Sequence, residues 1–258
     1  LFNDILTVGR LNDNTTHFIG SVVYMRNNSD FADVITQRMI IDGQQRLTTV
    51  TILISALALY LKEHPLGEDK LNYTDLLVYY LTNSHAHGEN KYKLILTNKD
   101  KDTIIKIIDN ISSSDVLTFN LNDSKKIKDN FTFFRNNITK DNVKIILNGL
   151  KRLNIIQISL EQYRDNPQLI YESLNSTGLE LTKSDLIRNY VLMSFPPEEQ
   201  DEIYNKYWVS MEKGFEGTNL FDKFIRDYLT VKTNHIPGMG NVYNEFKSYN
   251  YEQDDMLN

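Results

Sequence analysis

The run Ile40-Ile41-Asp42-Gly43-Gln44-Gln45-Arg46-Leu47-Thr48-Thr49 joins an apolar stretch to a long helical pattern, with a two-residue break between them. The first turn of a helix has unpaired N–H groups and the positive end of the dipole, so it attracts anions. Gly43 carries no Cβ to hold a ligand away. Arg46 brings a planar fork that matches phosphate oxygens. Gln44 and Gln45 supply amides, and Thr48 and Thr49 supply hydroxyls. Asp42 has two uses, capping the helix or helping to hold a metal-bound phosphate. The chemistry in view is phosphate binding, with a Gln amide to orient an attacking water and Arg46 to stabilise charge on the phosphates. The same residues also make a well-capped helix, with Asp42 at the N-cap and Arg46 on the surface. The segment is not a P-loop, because G-x-x-x-x-G-K-[ST] is absent.

A second constellation spans Tyr171 to Asn189 (YESLNSTGLELTKSDLIRN). Thr182-x-x-Asp185 has the form of a capping box. Asn175 and Gly178 suit a helix C-terminal turn. On a helix beginning near residue 183, Asp185, Arg188 and Asn189 fall at i, i+3 and i+4 and share a face. Such a trio lines a nucleotide pocket or ties two helices together, and both readings stand.

Other chemistry is thin. There is no cysteine, which excludes disulfides, thiolate nucleophiles and Cys-ligated metal sites. His85 and His87 sit in a polar stretch without an evident third ligand, so a surface loop is expected. Lys125, Lys126 and Lys128 precede Phe131, Phe133 and Phe134. This is either a DNA-contacting mixture of basic and aromatic groups or a solvated lysine face opposite a phenylalanine core. The aromatic residues from Tyr204 to Tyr228 recur at helical spacing and read as core. With 28 Lys and Arg against 34 Asp and Glu, the net charge of −6 argues against a whole surface built for nucleic acid. No apolar run approaches the ~20 residues of a membrane span.

The positioning elements follow from periodicity. His17 to Tyr24 and Val34 to Ile41 read as a β-hairpin, and Gln44 onward as a long helix with apolar residues at 47, 50, 53, 54, 57, 58 and 61. Tyr92 to Leu96 and Leu153 to Leu160 read as two more strands. Thr74 to Leu81 fits helix or strand. Helices are expected at 100–109, 125–136, 141–151, 167–174, 182–195, 198–212 and 220–232, with a short last one after Pro237-Gly238. The class is α+β, helix-dominated, with a sheet of four strands before residue 162 and an all-helical final third.

The string IDGQQRLTT resembles the DGQQR signature of the GmrSD-type restriction endonuclease N-terminal domain, in the wider ParB/sulfiredoxin-like group. Residues 171–189 resemble that family's F-E-x-L-N-x-x-G-x-x-L-x-x-x-D-L-I-R-N block, with Tyr171 in place of Phe. Phe18-Ile19-Gly20-Ser21-Val22-Val23 is similar to its F-x-G-S-I-V strand. The resemblance implies a ParB-like sheet domain over residues 1–195 and a helical extension over 196–258 leading to a further C-terminal domain. The family's upstream strand, with its Gln-Arg pair, would lie before residue 1. It also implies a nucleotide-binding, NTP-hydrolysing module of a prokaryotic, modification-dependent DNA restriction system acting in the cytoplasm. The alternative is a non-catalytic DNA- or partner-binding adaptor with a relic phosphate site. Carried over by position, Asp42, Gln44, Gln45 and Arg46 would be catalytic. Gly43, Thr48, Thr49, Asn175, Asp185, Arg188 and Asn189 would contact GTP or ATP, and Asp42 would hold Mg²⁺. Modified DNA, reached through the full-length protein, and a second copy of the chain are the other expected partners.

Overall fold

The computed structural model describes residues 1–11, 13, 15–26, 36–67, 71–161, 182–195, 197–215, 218 and 220–257. Two compact units divide the chain, Leu1–Gln162 and Tyr163–Asn258.

The first unit holds a mixed three-stranded sheet, β1 (His17–Arg26), β2 (Arg38–Asp42) and β3 (Leu153–Glu161), in the order β2-β1-β3. β1 runs antiparallel to β2 and parallel to β3. The parallel pair needs a long crossover. Helices α2 (Gln44–Glu63), α3 (Tyr73–Leu76), α4 (Asn98–Ser112), α5 (Lys125–Asn137) and α6 (Val143–Lys151) lie on that path.

α2 starts where β2 stops, and from Ile52 to Leu61 it is buried on nearly every side. That fits its sequence, which has no charged residue between Arg46 and Lys62. Leu53, Leu57 and Leu61 are fully or almost fully enclosed, each worth about 1.5–3 kcal/mol relative to exposure. They meet Ile104, Ile107, Ile108 and Ile111 of α4 and Ile127, Phe131 and Phe134 of α5 in one core. Pro65, two residues past the last helical one, bars continuation of α2. Helix α1 (Phe2–Arg10) packs on α6 by direct main-chain approach. A Cβ on Gly9 would lie 2.1 Å from the Ile145 carbonyl oxygen, and one on Gly149 would lie 2.1 Å from that of Ile5.

The expected fourth strand is not a strand. Tyr92 makes one isolated antiparallel bridge to Thr82. Its hydroxyl donates to Asp109 Oδ2 at 2.8 Å, and Lys91 donates to Asp109 Oδ1 at 2.6 Å, so α4 rather than the sheet holds this segment. The stretch that read as helix or strand near Thr74 is helical: α3 followed by a π-turn, Leu77–Leu81.

The second unit is helical in its described residues: α7 (Lys183–Met193), α8 (Pro197–Ile203), a π-turn (Tyr204–Trp208), α9 (Val209–Gly214), α10 (Phe221–Thr233) and α11 (Val242–Leu257). Its core gathers Ile187, Trp208, Ile225, Leu229, Val242 and Tyr243. Of the aromatic series expected there, Trp208 is buried, whereas Tyr207, Phe224 and Tyr228 face solvent. The last helix has 16 residues, longer than the short one expected. The expected 167–174 helix and the turn after it lie outside the described residues. No helix among the described residues is long and apolar enough to cross a membrane.

Candidate phosphate site and a second polar cluster

The helix start at residue 44 is built by strand geometry. β2 ends at Asp42, opposite Val23 of β1, and Gly43 turns the chain into α2 with φ +92°. Only glycine adopts that angle without strain. A Cβ there would also lie 2.9 Å from both the Ser21 carbonyl oxygen and Val22 Cγ2. Gly43, not Asp42, is therefore the N-cap, and it offers no side-chain cap. The first intrahelical bond runs from Leu47 N–H to the Gly43 carbonyl at 3.0 Å. The N–H groups of Gln44, Gln45 and Arg46 precede that bond and have no helical acceptor. The first turn contains no acidic residue.

The Asp42 side chain turns instead to Arg46. Arg46 Nη2 donates to Asp42 Oδ2 at 3.0 Å, and Arg46 Nη1 donates to the Ser21 carbonyl at 2.6 Å. This fixes the guanidinium across the end of the sheet while leaving it about one-third exposed. Gly20 makes room for it. Its φ is +106°, it sits in the irregular register between β1 and β3, and a Cβ there would lie 2.2 Å from Arg46 Nη1.

The remaining residues of the motif divide by what their polar atoms already do. Gln44 Nε2 donates to the Ile40 carbonyl at 2.8 Å, folding back on the strand. Gln45 is exposed. Thr48 and Thr49 donate their hydroxyl protons to the carbonyls of Gln44 and Gln45, four residues back. In this arrangement they offer lone pairs, not protons, to anything arriving.

Asp185, Arg188 and Asn189 all lie on α7, in the second unit. Asn175 lies outside the described residues. Thr182 caps α7, accepting from Asp185 N–H at 3.1 Å and donating to Asp185 Oδ2 at 2.6 Å. The N–H groups of Lys183 and Ser184 donate to the carboxylate of Asp222, from α10, at 3.1 and 2.8 Å. Arg188 bridges two carboxylates, Asp185 at 3.0 Å and Glu212 of α9 at 2.7 Å. Tyr204 donates to the other oxygen of Glu212 at 2.9 Å. Burial works to lower the pKa of Arg188, but the Asp185 and Glu212 carboxylates outweigh it and hold the guanidinium above its ordinary value. Burial first, and the bond to Glu212 second, push the Tyr204 phenol up to about 12.

The motif around residue 42 and the α7 trio thus belong to different units. Sequence reasoning missed the partners that give them geometry. Ser21 and Gly20 for Arg46 lay inside a quoted motif without a role, whereas Glu212, Tyr204 and Asp222 lay outside every motif. Asp42 is the one acidic side chain of the first cluster. Among the described residues no group of three or more His, Asp or Glu side chains could hold a metal by itself. His85 and His87 are exposed.

The GmrSD restriction endonuclease N-terminal domain family matches residues 1–192 of this chain, a span that takes in both clusters. No curated protein matches it.

Proposed function

Because the chain belongs to the GmrSD restriction endonuclease N-terminal domain family, and so to a restriction endonuclease system, we propose that its first unit binds a nucleoside triphosphate at the start of α2. The observation that carries this is a helix N-terminus without a side-chain cap or a first-turn carboxylate, beside an arginine clamped in place by the Ser21 carbonyl and Asp42. The N–H groups of residues 44–46 and the exposed edge of Arg46 would take phosphate oxygens. Arg46 is held before any ligand arrives, so little side-chain entropy is lost on binding.

Hydrolysis is the further step of the proposal. Gln45, exposed at the first turn, orients the attacking water. Gln44 is the weaker candidate because its amide already serves Ile40. Arg46 stabilises charge developing on the phosphates. Mg²⁺ takes one or two carboxylates and completes its shell with phosphate oxygens and water, so a single Asp42 fits it only together with a nucleotide. Bound there, it would neutralise phosphate charge. Coupling of this step to restriction of modified DNA completes the reading.

One observation favours the adaptor alternative. Arg46 is already paired with Asp42 at 3.0 Å, so phosphate must compete with a carboxylate for the guanidinium. Phosphate release separates the two readings. Hydrolysis by the full chain above the level of Arg46→Ala supports the enzyme, and equal rates support the adaptor.

Binding itself is read by thermal shift with GTP, ATP and GDP, each with and without Mg²⁺. A nucleotide at ~100 times its dissociation constant stabilises the folded state by about 2.7 kcal/mol. The expected outcome is a shift in wild type that is lost in Arg46→Ala. Absence of any shift in wild type removes the nucleotide reading.

A further inference from the structure

The chain carries −6, yet residues 124–152 hold eight Lys and Arg against only Asp129 and Asp141, a local charge of +6. The structure shows how these cations are used. Arg135 is taken by Glu63, and Arg152 by the Val8 carbonyl and Asp13. The six lysines, Lys125, Lys126, Lys128, Lys140, Lys144 and Lys151, are all exposed, and none pairs with a carboxylate among the described residues.

Elsewhere in the same unit, the described lysine side chains have partners. Lys91, Lys101 and Lys106 pair with Asp109, Glu89 and Asp123, and Lys62 and Lys93 donate to main-chain carbonyls. Lys128 acts at a distance on Asp123, without a salt bridge, and the other five have no carboxylate partner among the described residues, so two consecutive helices and their joining loop present a positive face that an external anion would complement.

The aromatic residues decide which anion. Phe131 and Phe134 are buried in the core. Phe133, half exposed, meets Phe2 and Phe134 edge-on at 5.7 and 5.4 Å. Phe133 is the one exposed ring on these two helices, and its edge-on contacts tie it to the core, so no series of rings lines up for successive unpaired bases as single strands need. Lysines on rigid helices are point charges that position a phosphate backbone without reading its sequence. On α6, Lys144 and Lys151 are seven residues apart, about 10.5 Å along the axis.

We infer that the α5–α6 segment is the surface by which this unit docks on the phosphate backbone of duplex DNA, independently of base sequence. The inference rests on the restriction-system reading for its choice of polyanion. It does not depend on the nucleotide site.

The test is fluorescence anisotropy of the full chain with a labelled 30-base-pair duplex between 50 and 200 mM salt. Two triple variants separate the helices: Lys125→Gln/Lys126→Gln/Lys128→Gln and Lys140→Gln/Lys144→Gln/Lys151→Gln. Each variant is expected to bind at least tenfold more weakly at 50 mM salt. Its slope of log affinity against log salt should be shallower by about 0.9 for every phosphate that is no longer neutralised. Thermal melts, and any nucleotide-dependent shift, should match wild type and so exclude misfolding. Wild type that does not bind duplex DNA, variants that bind as well as wild type, or tighter binding to a single strand or to phosphatidylserine vesicles would each overturn the inference. A lost nucleotide shift with intact DNA binding would strike only the nucleotide reading.

Discussion

The chain opens two helices inside its two family motifs, and it treats them in opposite ways. At α7 the first turn is filled from within: Thr182 caps it and donates its hydroxyl proton to Asp185, and Asp222 accepts from the N–H groups of Lys183 and Ser184. At α2 the nearest carboxylate, Asp42, points at Arg46, and a left-handed glycine takes the cap position. A carboxylate on a helix start is the internal equivalent of a bound phosphate. The second unit therefore supplies its own anion, while the first leaves its donors to water or a ligand. Similar motif language thus encodes a filled helix start in one place and an uncapped one in the other.

That contrast can be broken at several points. The largest effect is expected from Gly43→Val, which forces a β-branched residue to φ +92° and a Cβ to 2.9 Å from the Ser21 carbonyl. A loss of about 3 kcal/mol in a urea melt follows from strain plus overpacking. A loss below about 1 kcal/mol would mean that the turn is plastic. Next, Asp222→Ala uncaps two N–H groups of α7 and should cost about 2 kcal/mol. The single tryptophan, Trp208, reports on the second unit by fluorescence. Added phosphate should partly restore this variant if a carboxylate there does stand in for an anion.

The smallest effects are expected from pH. Tyr204 is shifted up to about 12, so its contribution is complete below its ordinary value near 10 and fades as pH climbs toward 12. Tyr204→Phe should flatten that alkaline limb. In the first unit, Asp123 is held below its ordinary value, chiefly by the hydrogen bond from Lys106. Its contribution is complete above about pH 4 and fades as pH falls through the lowered value. Hydrogen exchange in α4 and α5 would read it. Acid should thus loosen the Lys106–Asp123 link of the first unit, and alkali the Tyr204–Glu212 link of the second.

Much of the architecture was legible because apolar spacing is local. β1, β3, α2 and α5 begin within a residue or two of where the pattern places them. The α+β class follows from those elements alone. What escaped depended on partners distant in sequence. Asp42 reads as a cap because capping is a three-residue rule, yet its partner is set by a guanidinium that Ser21, 25 residues away, holds in place. Tyr92 to Leu96 reads as a strand by composition, but Asp109 claims its first residue. α11 runs further than the short helix expected, although Val242, Tyr243, Phe246 and Tyr249 already keep helical spacing along it. The importance of Asp222 had no local signal at all.

The parallel pairing of β1 with β3 joins His17 to Leu153 and so closes a very long loop. During synthesis at ~5–20 residues per second, β1 emerges on the order of ten seconds before its partner exists. Until then HFIGSVVYM is a β-prone ribbon with at most β2 beside it, an exposed edge of the kind that recruits other chains. The Gly9–Gly149 crossing of α1 with α6 needs residues 145–149, which are made only just before β3. Both ends of the first unit thus lock together in one late event. Truncation anywhere before residue 153 would leave a sticky intermediate rather than a smaller folded protein, and chaperone demand should fall sharply once β3 is made.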